Sequence, residues 1–311
     1  MLELRKDYIL DRWALISEKR GARPKQFKKH DIVKDDKFCY FCQGNENTTP
    51  PEIGRVEGKK GWQMRWFHNK FPAVDKKGSN KITKKGILES TAAYGEHIVL
   101  VETSDHTKQL SDLPEQEIEQ VLRIYTDLII RLSKNKKTKY VVVFKNHGPE
   151  GGTSIVHTHT QIASVPVMPQ IVRDEIKGNK KGAKCRLCKA IDSEKRTPRK
   201  IFETKNAIAI APYASRFNYE SWILPKRHIK SITEFNKEEY REFAGMLKKL
   251  LVKLSSIDAS YNFFLHYSPK EDFHFHIELI PRIATWAGFE HCSGIVINSI
   301  SPEMAAKFYR E

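Results

Sequence analysis

The chain contains no apolar run near the length of a membrane span, and its first residues, Met1-Leu2-Glu3-Leu4-Arg5-Lys6-Asp7, lack the apolar block of a signal peptide. A membrane partner is not expected, and cytoplasmic residence is. Cysteine is scarce: there are 5, and in a leaderless chain they do not suggest a disulfide framework. Acidic residues are in deficit, 38 against 54 Lys and Arg, for a net charge of +16. That surplus suits an anionic ligand such as a nucleotide sugar or phosphate. It would equally suit nucleic acid, but no basic stripe is interleaved with aromatics. Pairs such as Lys84-Lys85, Lys136-Lys137 and Lys248-Lys249 read instead as solvated faces. What remains is an ordinary globular composition, 40% hydrophobic, in 311 residues, long enough for one large or two ordinary domains.

Four of the cysteines form two matching C-x-x-C pairs, Cys39 with Cys42 and Cys185 with Cys188, and Cys292 is left over. Neither pair opens a helix after a strand, as a redox motif of the thioredoxin kind would, so each reads as half of a zinc site. The pairs also mark an internal duplication. In the first half Cys39 and Cys42 precede a strand at 97–102, a lone His106, and an amphipathic helix at about 114–132 with Asp112 or Ser111 to cap it. A strand at 140–144 and a Gly-rich turn then lead to His157-Thr158-His159-Thr160-Gln161. In the second half Cys185 and Cys188 precede strands at 207–210 and 221–224, His228, a helix at about 237–254 capped by Asn236, a strand at 261–266, and His274-Phe275-His276 in a strand at 273–278. The two halves divide the chain into repeats over residues 1–170 and 171–311.

Structural zinc takes four N or S ligands in a tetrahedron, and two thiolates with two imidazoles satisfy it. The expected sets are Cys39, Cys42, His106 and His157 in the first half and Cys185, Cys188, His228 and His274 in the second, with His266 and His276 as competing ligands there. This makes two zinc ions per chain, each tying a loop to an H-x-H strand.

The run from Ser154 to Val165 reads as one strand, which places His157, His159 and Gln161 on one face and the two threonines on the other. With His157 given to the metal, His159 is a free imidazole able to attack phosphorus. Gln161 can donate its amide where charge develops on a phosphoryl oxygen. Gly151 and Gly152 let backbone N–H groups approach phosphate, Ser154 adds a hydroxyl, and Arg20 and Arg23 can hold phosphates from the N-terminal arm.

Taken jointly, Arg20 to Pro24, the first cysteine pair, Asn69-Lys70-Phe71-Pro72, Ser104-Asp105-His106, Asn146 through Gln161, Pro225 to His228 and Gly288-Phe289-Glu290 make the chain resemble the galactose-1-phosphate uridylyltransferases. These belong to the histidine-triad superfamily and are built from two fused repeats. The resemblance covers nearly the whole length and implies an α+β fold, each repeat an antiparallel sheet with flanking helices. It implies that His159 becomes uridylylated, with Gln161 and Ser154 on the transferred phosphoryl group. Phe67, Asn69 and Phe144 would hold the nucleoside, and Arg20, Arg23, Asn146 and Gly148 would lie near phosphates. Phe289 and Glu290 would meet the hexose hydroxyls across a homodimer interface. The implied reaction of galactose metabolism exchanges UDP-glucose and galactose 1-phosphate for glucose 1-phosphate and UDP-galactose by ping-pong kinetics. Three features depart from the best-known members: Thr158 where they have proline, Lys70 where a carboxylate often follows the asparagine, and a second cysteine pair. Thr158 and that pair look more like the ADP-sugar phosphorylase branch, which uses the same histidine with an adenylyl group.

Overall fold

Period-3.6 apolar stripes and period-2 runs decide most of the architecture. The computed structural model describes residues 2–22, 38–179 and 184–311. In chain order the elements are β1 (Leu2–Lys6), β2 (Trp13–Ser17), β3 (Glu52–Gly58), β4 (Gly61–His68), β5 (Thr83–Lys85), β6 (Leu88–Ser90), β7 (His97–Val101), α1 (Glu115–Ser133), β8 (Tyr140–His147) and β9 (His159–Val165). They continue as α2 (Gln170–Asn179), α3 (Arg186–Glu194), β10 (Lys200–Glu203), β11 (Ala207–Ile210), β12 (Ser221–Pro225), α4 (Lys237–Ser255), β13 (Tyr261–His266), β14 (His276–Pro281), α5 (Gly288–Ser293), β15 (Val296–Asn298) and α6 (Pro302–Arg310). The fold is α+β. No described helix is long and apolar enough to cross a membrane.

One ten-stranded antiparallel sheet dominates, in the order β10-β11-β12-β14-β13-β8-β9-β7-β4-β3. Its two five-stranded halves meet at the β8–β13 seam, where Phe144 lies opposite Phe264 and Asn146 opposite Asn262. Reading outward from that seam, the strands of the first half match those of the second, β8 with β13, β9 with β14 and β7 with β12. The N-terminal hairpin stands apart: β2 pairs with β1 and, in parallel, with β15, so the two ends of the chain share a small sheet.

Alternation in each strand sends one set of side chains to α1 and α4. Ile98, Leu100, Val143, Ile162, Phe263, Leu265, Ile277 and Ile223 pack there against Leu122, Tyr125, Ile129, Phe243, Leu247 and Leu250. Each such side chain gains about 1.5–3 kcal/mol from burial, which makes this layer the main source of stability. Asn236 caps α4 by accepting the N–H groups of Glu238 and Glu239, while the Glu239 carboxylate returns to the Asn236 N–H at 2.8 Å. The cap expected for α1 differs. Asp112 closes the preceding turn by accepting Gln109 N–H at 2.8 Å, and Pro114 occupies the cap position.

The H-x-H strands begin later than expected. β9 starts at His159 and β14 at His276, so residues 154–158 and 273–275 are irregular. The reason is the same in both halves: the first histidine of each pair is drawn out of the ladder to a backbone carbonyl, His157 Nε2 to Thr103 O at 2.7 Å and His274 Nε2 to Pro225 O at 2.9 Å.

Candidate active site and metal clusters

The sheet face away from α1 and α4 carries the chemistry. Directly paired residues run across it as one row, Phe67, Val99, Gln161, Phe144, Phe264, Glu278, Trp222 and Ile210. His159 is two residues from Gln161 on the same strand and so shares this face.

His159 is buried, with the edge of the Phe41 ring 5.3 Å away, centroid to centroid. Its Nδ1 lies 2.8 Å from His157 O, and because a carbonyl only accepts, Nδ1 carries the proton and Nε2 keeps its lone pair. Burial, aided by the Lys145 charge, pushes the ring down to about 4, so it is neutral near pH 7. Gln161 is half-buried, and its Oε1 is 3.0 Å from His97 Nε2. The Asn69 backbone N–H donates to His97 O at 2.7 Å, and Asn69 Oδ1 accepts Phe71 N–H at 2.9 Å. The His97 ring stands 6.4 Å from that of Phe144. Asn146 lies across the seam from Asn262, whose Nδ2 donates to Asn146 Oδ1 at 2.8 Å and to Gly151 O at 2.7 Å. Gly148 has φ of +73°, and a Cβ there would strike the Ser260 side chain, so this turn requires glycine.

Behind the strand, on the opposite face, lies a buried ionic network. Lys145 Nζ donates to Glu102 at 2.5 Å, to Thr158 Oγ1 at 2.8 Å and to His159 O at 3.0 Å. Thr158 and Thr160 donate to the same carboxylate at 2.6 and 2.5 Å, as expected of two threonines on one face. Burial alone would raise the Glu102 carboxyl, but the Lys145 ammonium and these hydroxyls hold it below its ordinary value.

Several expected positions fall elsewhere. Phe67 is only 2% exposed, packed with Phe41, Trp62, Val99 and Val101, and so belongs to the floor of the face. Ser154 is exposed in the irregular segment, and the Gly152 N–H is spent on Pro149 O at 2.9 Å. Arg23 lies outside the described residues. Arg20 is exposed beyond β2, and Phe289 and Glu290 are on α5 beside β15. Burial would raise the Glu290 carboxyl, but backbone N–H groups and the Arg20 charge keep it low, so arm and helix are neighbours. Among the described residues no hydrogen bond, ion pair or ring contact joins Phe289 or Glu290 to His159, Gln161 or Asn146.

Both cysteine pairs meet the expected histidines. Cys39, Cys42, His106 and His157 form one group and Cys185, Cys188, His228 and His274 another, with candidate ligand atoms within 4.8 Å of one another. Sulfur to Nδ1 distances are 3.6 Å (Cys39–His157) and 3.3 Å (Cys42–His106) in the first, 3.4 Å (Cys188–His228) and 3.3 Å (Cys188–His274) in the second. A tetrahedral zinc with ordinary bond lengths would set them about 3.5 Å apart, so the donor sets fit the metal. Three of the four remaining ring nitrogens are held as zinc ligands usually are: His157 and His274 on carbonyls, His228 on Asp272 at 2.7 Å. Cys185 is also the N-cap of α3.

His266 and His276 do not compete for the second cysteine pair. They form a third, fully buried group with Glu175 and Glu278, in which Glu175 Oε2, His276 Nε2 and Glu278 Oε1 have no hydrogen-bond partner. Those converging lone pairs and carboxylates could also hold a cation. The Trp222 ring stacks on His276 at 5.1 Å, in the row position that Val99 occupies beside Gln161, and leaves His276 with no exposure. The sequence singled out His266 and His276 only as rival zinc ligands and did not show their grouping with Glu175 and Glu278, nor the parts played by His97, Lys145 and Glu102. The visible signal was a charged or ring nitrogen residue flanking an otherwise apolar strand.

Residues 2–169 match the family model for the N-terminal domain of galactose-1-phosphate uridyl transferase. The chain belongs to the galactose-1-phosphate uridyl transferase family. A second model, for a domain of unknown function, matches residues 93–308. Relatives include an ADP-glucose phosphorylase of Arabidopsis thaliana, 31% identical over 99% of this chain and 92% of its own length. A galactose-1-phosphate uridylyltransferase of Thermotoga maritima is 31% identical over 100% of this chain and 98% of its own. The ADP-glucose phosphorylase structure with bound ADP-glucose superposes with a TM-score of 0.86 at 29% identity, covering 100% of this chain and 99% of that one. A uridylyltransferase structure gives 0.77 at 28% identity, covering 100% and 97%. Family membership makes this chain a nucleotidyltransferase or phosphorylase of sugar nucleotide chemistry.

Proposed function

We propose that the protein carries a nucleoside monophosphate between two phosphorylated partners on His159, as a UDP-glucose–hexose-1-phosphate uridylyltransferase. The observation that carries this reading is a neutral His159 whose Nδ1–H is tied to His157 O and whose Nε2 lone pair is left free beside Gln161. Nε2 attacks the α-phosphorus of the nucleotide sugar. The N–P bond forms as the P–O bond to the sugar phosphate breaks, and the electron pair leaves on the phosphate oxygen. The phosphate oxygen of an incoming hexose 1-phosphate then attacks phosphorus, and the pair returns to Nε2. The Gln161 amide donates to the phosphoryl oxygens, and the backbone at Asn146 and Gly148 lies along the phosphates. Asn69 and Phe144 meet the nucleoside over a floor that includes Phe67.

In this reading Phe289 and Glu290 serve the hexose site of the second subunit of a homodimer, as the resemblance to the family implies. In this reading residues 1–170 form the repeat that carries the nucleophile, and residues 171–311 back it. Zinc at each cysteine cluster supplies folding energy and a fixed loop. Cys39, Cys42, His106 and His157 hold the first ion, and Cys185, Cys188, His228 and His274 the second.

One alternative has specific support. The higher TM-score with the ADP-glucose-bound structure and the second cysteine cluster favour an ADP-sugar phosphorylase, with AMP on the same histidine. Incubation with UDP-glucose and, separately, ADP-glucose, followed by intact mass measurement, tests both. Addition of UMP or of AMP to wild type, lost in His159→Ala with zinc content unchanged, is expected. No adduct with either donor, or an adduct retained in His159→Ala, overturns the covalent reading.

A further inference from the structure

Gln161 can serve a phosphoryl group only with its NH2 end facing outward. The two ends of a side-chain amide have the same shape and opposite chemistry: turned the other way, the residue would present a carbonyl to an anion and repel it. Something must therefore decide which end points out.

The decision is traceable to the backbone. Ala73 N–H lies 3.1 Å from His97 Nδ1, and since a peptide N–H only donates, Nδ1 must accept and carries no proton. In the neutral ring the proton is then on Nε2. Burial at 6% exposure lowers the affinity of this ring for a second proton. Nε2–H points at the Gln161 side chain 3.0 Å away, so the atom it meets must be oxygen. Asn69 Nδ2, at 3.5 Å from the same nitrogen, is too distant to compete and is itself a donor. Among the described residues the Gln161 NH2 group makes no hydrogen bond within the chain.

We propose that His97 is a positioning residue that fixes the polarity of the Gln161 amide, relaying the direction of the Ala73 N–H so that an N–H donor faces the transferred phosphoryl group. This rests on the nucleotidyl-transfer reading above and adds to it a residue that never touches substrate. It also gives the Asn69-to-Ala73 segment a use beyond the nucleoside, because that loop supplies the N–H on which the relay starts.

Two measurements test it. In histidine-15N-labelled protein, long-range nitrogen–proton correlation should show His97 protonated on Nε2 with Nδ1 unprotonated, and the Nε2–H signal should move in Gln161→Leu. A His97 ring protonated on Nδ1, or an Nε2–H signal indifferent to Gln161→Leu, overturns the proposal whether or not a nucleotide adduct is ever seen. The second is a double-mutant cycle on adduct formation. His97→Phe should slow it about 10- to 100-fold, below the 10²–10³ expected for losing one such donor outright, with nucleotide affinity and zinc content unchanged. In a Gln161→Ala background His97→Phe should change the rate less than about threefold. His97→Gln, which offers one acceptor and one donor, should recover most of the rate. Full additivity of the two substitutions would mean that His97 does not act through Gln161.

Discussion

Replacing Lys145 by methionine removes the cation from a site where everything around it was built for one. Lys145 is 1% exposed and Glu102 not at all, with 2.5 Å between their charged atoms. In Lys145→Met the Glu102 carboxylate keeps the Thr158 and Thr160 hydroxyls but loses its counter-charge in a fully buried site. Breaking a buried pair from one side costs about 3–5 kcal/mol, which is about two to four orders of magnitude in the unfolding constant. Two effects oppose that: methionine adds some apolar contact, and Glu102 can escape by taking up a proton. Neither restores the bond from Lys145 to His159 O, so adduct formation should slow as well. Urea unfolding of zinc-loaded protein, followed by tryptophan fluorescence, reads the stability loss. Lys145→Met with Glu102→Leu should recover more than half of it, because a neutral pair of similar volume leaves no charge stranded. A loss below about 1 kcal/mol in the single variant, or a double variant weaker than either single, would refute the claim that this pair is coupled and buried.

Cys42→Ser and Cys188→Ser should each lower bound zinc by one ion per chain and lower the melting temperature, with elemental analysis as the check; unchanged zinc in either would remove that cluster from the metal sites. His147, stacked on Tyr261 at 4.5 Å, is pushed down to about 4 by burial and the Lys145 charge. Its folded form prefers the neutral ring, so the stability it contributes is complete above the unfolded value of about 6.5 and is lost as pH falls from there toward 4. Between pH 7 and pH 5 this amounts to at most about 2 kcal/mol. His147→Phe keeps the stack and should flatten the acid limb of the stability curve by that amount; an unchanged limb would show that this ring is not buried neutral.

Much of the site could be read from the chain because its parts are local. The C-x-x-C pairs, the two H-x-H motifs and the stripes of α1 and α4 each fit inside one element, and their order repeats. What escaped was set by partners distant in sequence. β8 continues through Lys145, Asn146 and His147, polar residues that look like a strand's end, because β13 supplies their ladder partners. β9 begins only at His159 because His157 is held on the Thr103 carbonyl. β1 and β2 lie in a charged arm whose pairing with β15 depends on residues almost 300 positions away. His97 looked like the first residue of an apolar strand; its role emerges only with the Ala73 amide and the Gln161 side chain beside it.

The seam at Phe144 and Phe264 has the form of an isologous contact, the same strand from two copies laid against itself. A pair of separate single-repeat chains joined this way would be obliged to keep two identical pockets, since any substitution would appear in both. Within a single chain that obligation does not hold. Here the two walls differ, Val99 beside Gln161 and Trp222 beside Glu278, so the second half carries a tryptophan stacked on His276 that the first half does not.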